Sequence, residues 1–425
     1  MRIAVIGSGI SGLSAALRLQ PQHEVVLYES DPRPGGHAHT VDITLDGIRA
    51  PVDTGFLVYN ERTYPLLIAL FQELGVREAP TDMSFAASIG PHRLEWCGSN
   101  IRSLFAQPSN LLRPGFWRML RDILRFNREA TALALDEHAS ARLDEPLERY
   151  LERERYSAEF RDGYLLPMAA AIWSCSTATM TRFPLGSFVR FFHNHGLLQV
   201  EGRPRWMTVE GGSREYVSRI VSRLRDVRLS EPVTSVVRRT GAGAVVHSAS
   251  SVEQFDQVVF ACHSDQALAL LADPGEDERA VLSAVRYQSN RALLHTDTAL
   301  MPARRRAWAA WNYLSDGQPG APSVSVTYWL NRLQPLPFQT PVFVSLNPLT
   351  EPDPATLIRE IQYAHPIFDS AAGRAQRRLK RLQGRRNTWF AGAWTGYGFH
   401  EDGLRSGLEV AEAIGRIGQP LAQAA

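Results

Sequence analysis

The chain has 425 residues, of which 44% are apolar and 21% charged, so it is too long for one compact core and ordinary for a globular protein of two domains. Its formal net charge is only +2, which gives no electrostatic case for a nucleic-acid partner. Three cysteines, Cys97, Cys175 and Cys262, lie far apart without a CxxC pair; this argues against a structural zinc site or a disulfide scaffold, and fits a reducing cytoplasm.

Residues 2–6, RIAVI, read as a buried parallel strand. With no basic and apolar leader before it, a signal peptide is not expected. A glycine turn follows, then a helix from about Ser11 to Leu19 and a second strand, Glu24 to Tyr28, ending at Glu29. This is a βαβ opening. Residues 61–204 are rich in Leu, Arg, Phe and Trp at helical spacing and predict a mostly helical insertion. From 205 to 262 the chain returns to strands, with a Gly-Gly turn at 211–212 and a helix over Tyr216–Leu224. Residues 285–347 predict antiparallel strands, among them VSVTYWL (324–330) and VFVSL (342–346). TWFA (388–391) predicts a last buried strand, entering a glycine-rich turn and a helix from about Gly403 to Ile417. No apolar run reaches the roughly 18 residues a membrane span needs. The expected fold class is α/β: a Rossmann-like domain (1–60, 205–265 and 385–425) interrupted by an α+β substrate domain (61–204 and 266–384).

Gly7, Gly9 and Gly12 form GSGISG between the first strand and helix. Their tasks are the tight turn, close backbone approach to a pyrophosphate, and helix–strand packing. The helix N-terminus at Ser11 offers free N–H groups to phosphate. Glu29 stands where a carboxylate accepts hydrogen bonds from ribose hydroxyls. Arg33 and the pair Gly35-Gly36, followed by His37, come directly after. An NAD-binding fold has no need of this extra glycine pair, whereas a flavin dinucleotide requires more backbone to approach it closely.

At these residues the chain resembles the FAD-dependent amine oxidase and phytoene desaturase superfamily, whose architecture is a monoamine oxidase-like pair of domains. Further stretches follow in family order: VDTGFLVYN (52–60), EPVTSV (231–236) and WFAGAWTGYGFHEDGLRSG (389–407). The resemblance implies FAD as cofactor. It places Gly55 where backbone meets the flavin ring, Val233 at the adenine, and Gly392 where the chain passes the pyrophosphate. It also places Gly403 and Leu404 at the start of a helix whose positive end faces the flavin. Two departures speak against amine oxidation. Amine oxidases of the superfamily carry a lysine near the flavin N5, but Lys380, in a basic run, is this chain's one lysine; and His37 stands where the family has a second arginine.

A closer resemblance is carried by 191–217, VVFACHSDQALALL (258–271) and GYGFHEDGLRSG. These look like a bacterial subfamily of FAD-binding proteins associated with cyclopropane-fatty-acid-synthase-like methyltransferases, one branch of which is implicated as a desaturase in furan fatty acid formation. The implied function is desaturation of a fatty acyl or methylated acyl chain of membrane lipid, by hydride transfer to flavin N5. The implied partners are a long-chain acyl lipid and a SAM-dependent lipid methyltransferase. His400 or Glu401 is the expected proton acceptor; the alternative is that both only hydrogen-bond the loop or the flavin. The histidines show no metal-site spacing, and His193 and His195 read as core or loop-fixing residues. Rival functions are a polyisoprenoid oxidoreductase, a non-catalytic FAD-binding partner of the methyltransferase and, third, a classical amine oxidase.

PGFWRMLRDILRFNREA (114–130) reads as an amphipathic helix with Phe116, Trp117, Leu120, Ile123 and Leu124 on one face and arginines on the other. It suits either packing on the substrate-domain core or docking to anionic headgroups at the inner face of the cytoplasmic membrane.

Overall fold

A computed structural model of the protein describes residues 1–90, 94–136, 145–199, 202–239, 243–317 and 325–417. Val200, Glu201, Val324 and the terminal residues from 418 onward, which figured in the sequence expectations, lie outside the described residues.

The first strand, Arg2–Ile6, is the centre of a five-stranded parallel sheet. Its neighbours are Glu24–Tyr28 and Asp226–Arg228 on one side, and Gln257–Phe260 and Thr388–Phe390 on the other. Successive strand residues point to opposite faces, and both faces are covered. Ile3, Val5, Leu27 and Val259 pack with the helices Ile10–Leu19, Pro65–Leu74, Arg214–Val221 and His400–Gly415. Ala4, Ile6, Val26 and Phe260 pack beneath the antiparallel strands Val233–Arg238, Ala244–Ser248 and Val252–Phe255 and the helices Ser264–Leu270, Glu276–Leu282 and Ser370–Leu379. Double coverage is why these strands read as continuous apolar runs. Helix Pro65–Leu74 therefore shares the core of the parallel sheet, although its sequence falls inside the expected insertion.

The first and last helices pack directly on each other. A Cβ at Gly407 would lie 2.3 Å from the Ser11 carbonyl oxygen and 2.3 Å from Ser14 Oγ. Glycine there lets the helix axes approach closely enough to join the two ends of the chain. The last helix begins at His400, not Gly403. The Asp402 carboxylate accepts from the Phe399 and Tyr397 backbone N–H groups at 3.0 and 3.1 Å and closes the turn three residues early.

A mixed seven-stranded sheet forms the second layer system, in the order Leu357–Ile367, Arg286–His295, Phe343–Leu346, Ser325–Trp329, Trp311–Ser315, Phe85–Ile89, Leu94–Cys97. The last two strands come from the segment read as mostly helical. They pair antiparallel with each other, and Phe85–Ile89 joins the sheet by pairing in parallel with the distant Trp311–Ser315. Leu357–Ile367 is an edge strand with charged side chains facing outward, among them Glu360, which pairs with Arg291 at 2.9 Å.

The helix Pro114–Leu135 turns only part of the expected face to the core: Phe116 is buried and Leu120 and Ile123 pack partly against it. Its buried stripe is Phe116, Met119, Asp122, Phe126 and Ala130, while Trp117 and Leu124 are exposed. Asp122 is inside because its carboxylate accepts the Ser157 N–H at 3.0 Å.

Candidate active site

Between the two sheets lies a cavity of about 1150 Å³, larger than an ordinary small-molecule site of ~300–1000 Å³. Of the residues singled out in the sequence, Gly7, Gly9, Ser11, Glu29, Arg33, Gly36, His37, Gly55, Val233, Gly392 and His400 line it. Gly12, Gly403, Leu404 and Glu401 do not.

At one end the turn from strand to helix is set by backbone contacts. Gly7 has φ +104°, and a Cβ there would stand 2.9 Å from the Ala261 carbonyl oxygen. A Cβ at Gly12 would stand 1.9 Å from the Gly7 carbonyl oxygen. Gly12 thus acts through helix–strand packing. Around Gly9, by contrast, a Cβ would meet nothing within 4 Å. The first hydrogen bond of the helix runs from Leu13 N–H to the Gly9 carbonyl, so the preceding N–H groups, Ser11's among them, are free to face an anion. Glu29 closes this end: one carboxylate oxygen accepts from Ser8 N–H (2.9 Å) and Ser8 Oγ (2.5 Å), the other from Asp31 N–H (3.0 Å). The Arg33 guanidinium donates to the Gly36 carbonyl at 2.9 Å and holds the glycine pair over the turn.

Further along, Gly55 is packed so closely that a Cβ would lie 2.2 Å from the His37 carbonyl oxygen. Its position is fixed from behind by Asp53, a buried carboxylate accepting from Thr40 Oγ1 (2.5 Å), Ser213 N–H (2.9 Å) and Ser213 Oγ (2.8 Å). Burial pushes Asp53 up to about 6 against these donors. Tyr363 Oη bonds Thr54 Oγ1 at 2.9 Å and His39 Nδ1 at 3.2 Å. His37 stacks on Tyr363, with His365 and His263 beside it. Burial lowers all of these imidazoles, His37 well below its ordinary range and His39 and His365 to about 4. The sequence reading missed Tyr363 and His365, because the edge strand carrying them reads as a charged surface segment.

His400 lies at the inner end. Its ring stacks on Phe56 with centroids 3.7 Å apart, and Nε2 is 3.0 Å from the buried Tyr216 Oη. Burial lowers its pKa to about 3, so the ring is neutral. His195, expected to be a core or loop-fixing residue, also lines the cavity; it stacks on Phe191 at 3.8 Å, and its Nδ1 lies 3.0 Å from the Phe191 carbonyl oxygen.

Two expectations need correction. Glu401 is a helix cap. Its two carboxylate oxygens accept the Leu66 and Leu67 N–H groups at 3.0 Å each, at the start of helix Pro65–Leu74, and it borders a separate cavity of about 340 Å³. Glu401→Gln should therefore lower stability by about 1 kcal/mol, the cost of weakening a cap, and leave flavin content and turnover near wild type. A loss of turnover at unchanged melting temperature would return Glu401 to the chemistry. Second, Gly403 N–H is already bonded to the Phe399 carbonyl, so Gly403 and Leu404 offer no free helix end. Gly403 lets the helix close on Ile10 and Ser11, and Leu404 is core.

The residues present fit a flavin dinucleotide. Free N–H groups and the open space at Gly9 suit its diphosphate, Glu29 its ribose hydroxyls, and the close backbone at Gly55 a flat ring. The cavity is also long enough to reach from Val233 to His400. Among the described residues, no group of three or more His, Cys, Asp or Glu could hold a metal ion, and no helix is long and apolar enough to cross a membrane.

Comparisons with known proteins agree with this geometry. No curated protein matches the chain in sequence. In fold, the chain is similar to the CLA-producing fatty acid isomerase from P. acnes (16% identity, 98% of this chain and 99% of that one, TM-score 0.66). It is likewise similar to cyclohexylamine oxidase from Brevibacterium oxydans IH-35A (16%, 97% and 98%, TM-score 0.71) and to putrescine oxidase bound to putrescine (16%, 97% and 99%, TM-score 0.69). Residues 10–328 match the family described as flavin containing amine oxidoreductase. With a glycine turn and carboxylate placed for a dinucleotide, and that match over most of its length, the chain belongs to the flavin-containing amine oxidoreductases and is an FAD-dependent oxidoreductase.

Proposed function

We propose that this enzyme dehydrogenates a fatty acyl or methylated acyl chain of membrane lipid. The observation that carries the reading is the far half of the cavity, walled by Ile172, Trp173, Phe191, Leu197, Trp206 and Trp311. Its acidic lining residues, Glu29, Asp31 and Glu231, all belong to the dinucleotide end, and Lys380 is exposed on the surface. A cationic amine would find no carboxylate in that chamber, whereas a hydrocarbon chain would find apolar and aromatic walls. The likeness to a fatty acid isomerase supports only the fold's capacity for an acyl chain.

Desaturation removes a hydride and a proton from neighbouring carbons. FAD, when bound, supplies the two-electron acceptor. An unactivated C–H bond is far too weak an acid for this, so the proton lost is one next to an existing double bond. His400 is the neutral imidazole at the inner end of the cavity. Only the tautomer that donates from Nε2 to Tyr216 Oη leaves Nδ1 with a lone pair. The Tyr216 hydroxyl can accept from Nε2 in that tautomer and so hold the ring in place, and the low basicity of His400 makes proton transfer demanding of geometry. Aromatic walls exclude water from the reacting carbon. The SAM-dependent lipid methyltransferase partner belongs to the same proposal, as the source of a methylated acyl substrate.

The test is anaerobic mixing of the purified holoenzyme with unsaturated and methylated phospholipids, polyisoprenoid alkenes and an amine panel. Bleaching of the flavin by the acyl lipids, with a product two hydrogens lighter, is expected. His400→Ala should slow bleaching about 100-fold, in the range of a lost acid–base group, and Tyr216→Phe less. Bleaching by amines or isoprenoids but not by acyl lipids would overturn the assignment. A flavin that no panel member reduces would favour a non-catalytic role.

A further inference from the structure

The segment from Ile101 to the end of the helix Pro114–Leu135 exposes an unusual surface. Ile101 is 77% exposed, Leu112 87%, Leu124 61% and Trp117 50%. On a helix turning about 100° per residue, positions 117, 121, 124 and 128 fall within about 60° of one another. Trp117, Arg121, Leu124 and Arg128 therefore form one outward stripe, opposite the buried Met119 and Phe126. Trp117 is anchored, not loose: its indole N–H donates to the Leu111 carbonyl at 2.9 Å, and its ring lies 5.7 Å from Phe105.

Charge follows the same pattern. Residues 101–135 hold six arginines and two acids, in a chain whose net charge is only +2. Both acids are engaged, one buried and one half-buried. Asp122 is buried on the Ser157 amide, with Arg121 at 3.6 Å from its other oxygen. Glu129 accepts from Arg125 (3.0 Å) and Tyr156 Oη (2.6 Å). Arg118 is paired with Glu159. The outward stripe thus alternates large apolar groups with guanidinium groups and shows no free carboxylate.

We propose that this face docks the enzyme on an anionic lipid bilayer. Leu112, Trp117 and Leu124 would enter the headgroup boundary, where an indole is favoured, while Arg121 and Arg128 reach lipid phosphates from apolar stems. A second copy of the chain is the poorer occupant: a two-fold interface sets the same patch against itself and would bring arginine against arginine. The proposal stands apart from the acyl reading, because it concerns the surface and not the cavity.

Co-sedimentation of the holoenzyme with vesicles of equal parts phosphatidylglycerol and phosphatidylcholine tests it. Wild type should bind these vesicles and bind pure phosphatidylcholine weakly. The pair Leu112→Asp and Leu124→Asp should weaken binding at least about tenfold. Arg121→Gln and Arg128→Gln should weaken it about fivefold each and remove the preference for anionic lipid. Flavin content and helicity, measured alongside, confirm that each variant is folded. Wild type left in the supernatant, or variants that bind as well as wild type, would overturn the proposal. A dimer by light scattering that the aspartate variants split would assign the face to a second copy instead.

Discussion

Gly12→Ala is expected to yield a chain without flavin and with a much lower melting temperature, whereas Gly9→Ala should fold normally and still lose flavin. The two positions differ in what a methyl group would meet. At Gly12 it would stand 1.9 Å from a backbone oxygen and 3.1 Å from Ala261 Cβ. Neither is the end of a flexible side chain, so the first helix must move off the sheet. Overpacking of this kind costs typically 1–3 kcal/mol and more when backbone must shift. Each 1.4 kcal/mol is tenfold in affinity, and the helix end that moves is the one facing the phosphates. At Gly9 the backbone has φ −64°, which alanine adopts freely, and the methyl would project into open space. There it obstructs only the ligand. Flavin-to-protein ratio and thermal unfolding, measured together, separate the outcomes. Gly9→Ala with full flavin content would mean that the diphosphate lies elsewhere.

The second large effect is acid lability. Among the described residues eight histidines, His23, His37, His39, His195, His263, His295, His365 and His400, are lowered by burial. His39, His195, His295 and His365 stand at about 4. Unfolded imidazoles take up protons near 6.5, so each such group contributes stability at neutral pH that is lost as pH falls from about 6.5 towards 4. For the well-buried His39 and His295 this amounts to roughly 3 kcal/mol apiece. Asp53 and Asp402 act in the opposite sense. Burial raises both to about 6, so their contribution is present at low pH and lost as pH rises through 6. Histidines outnumber them, and the net expectation is a melting temperature at pH 5 lower than at pH 7 by about 10 °C or more. Equal melting temperatures at the two values would show that the histidines are not held neutral.

The dinucleotide half was readable because its requirements are local. RIAVI, the three glycines and Glu29 stand within one βαβ unit, and the strand limits Arg2–Ile6 and Glu24–Tyr28 follow the apolar runs. The seven-stranded sheet was half readable. Its antiparallel strands alternate in sequence, but Phe85–Ile89 pairs with a strand more than 200 residues away. The side of Pro114–Leu135 that faces the core was only partly read, because a charged residue, Asp122, is buried for a hydrogen bond while Trp117 and Leu124 are left outside. The resemblance pointed to His400, and the structure sets it on the cavity wall. Its neighbour Glu401 was not separable from it by sequence, since one residue along a helix turns the side chain by about 100° and into a different task. Tyr363 and His365 reach the cavity, and Tyr216 reaches His400, only through tertiary packing.

Heating the purified protein and assaying the released flavin tests the central claim most directly. One FAD per chain, removable and restored on adding FAD to the apoprotein, is the result expected of a cavity closed by both ends of the polypeptide. A colourless protein that cannot be reconstituted would contradict it.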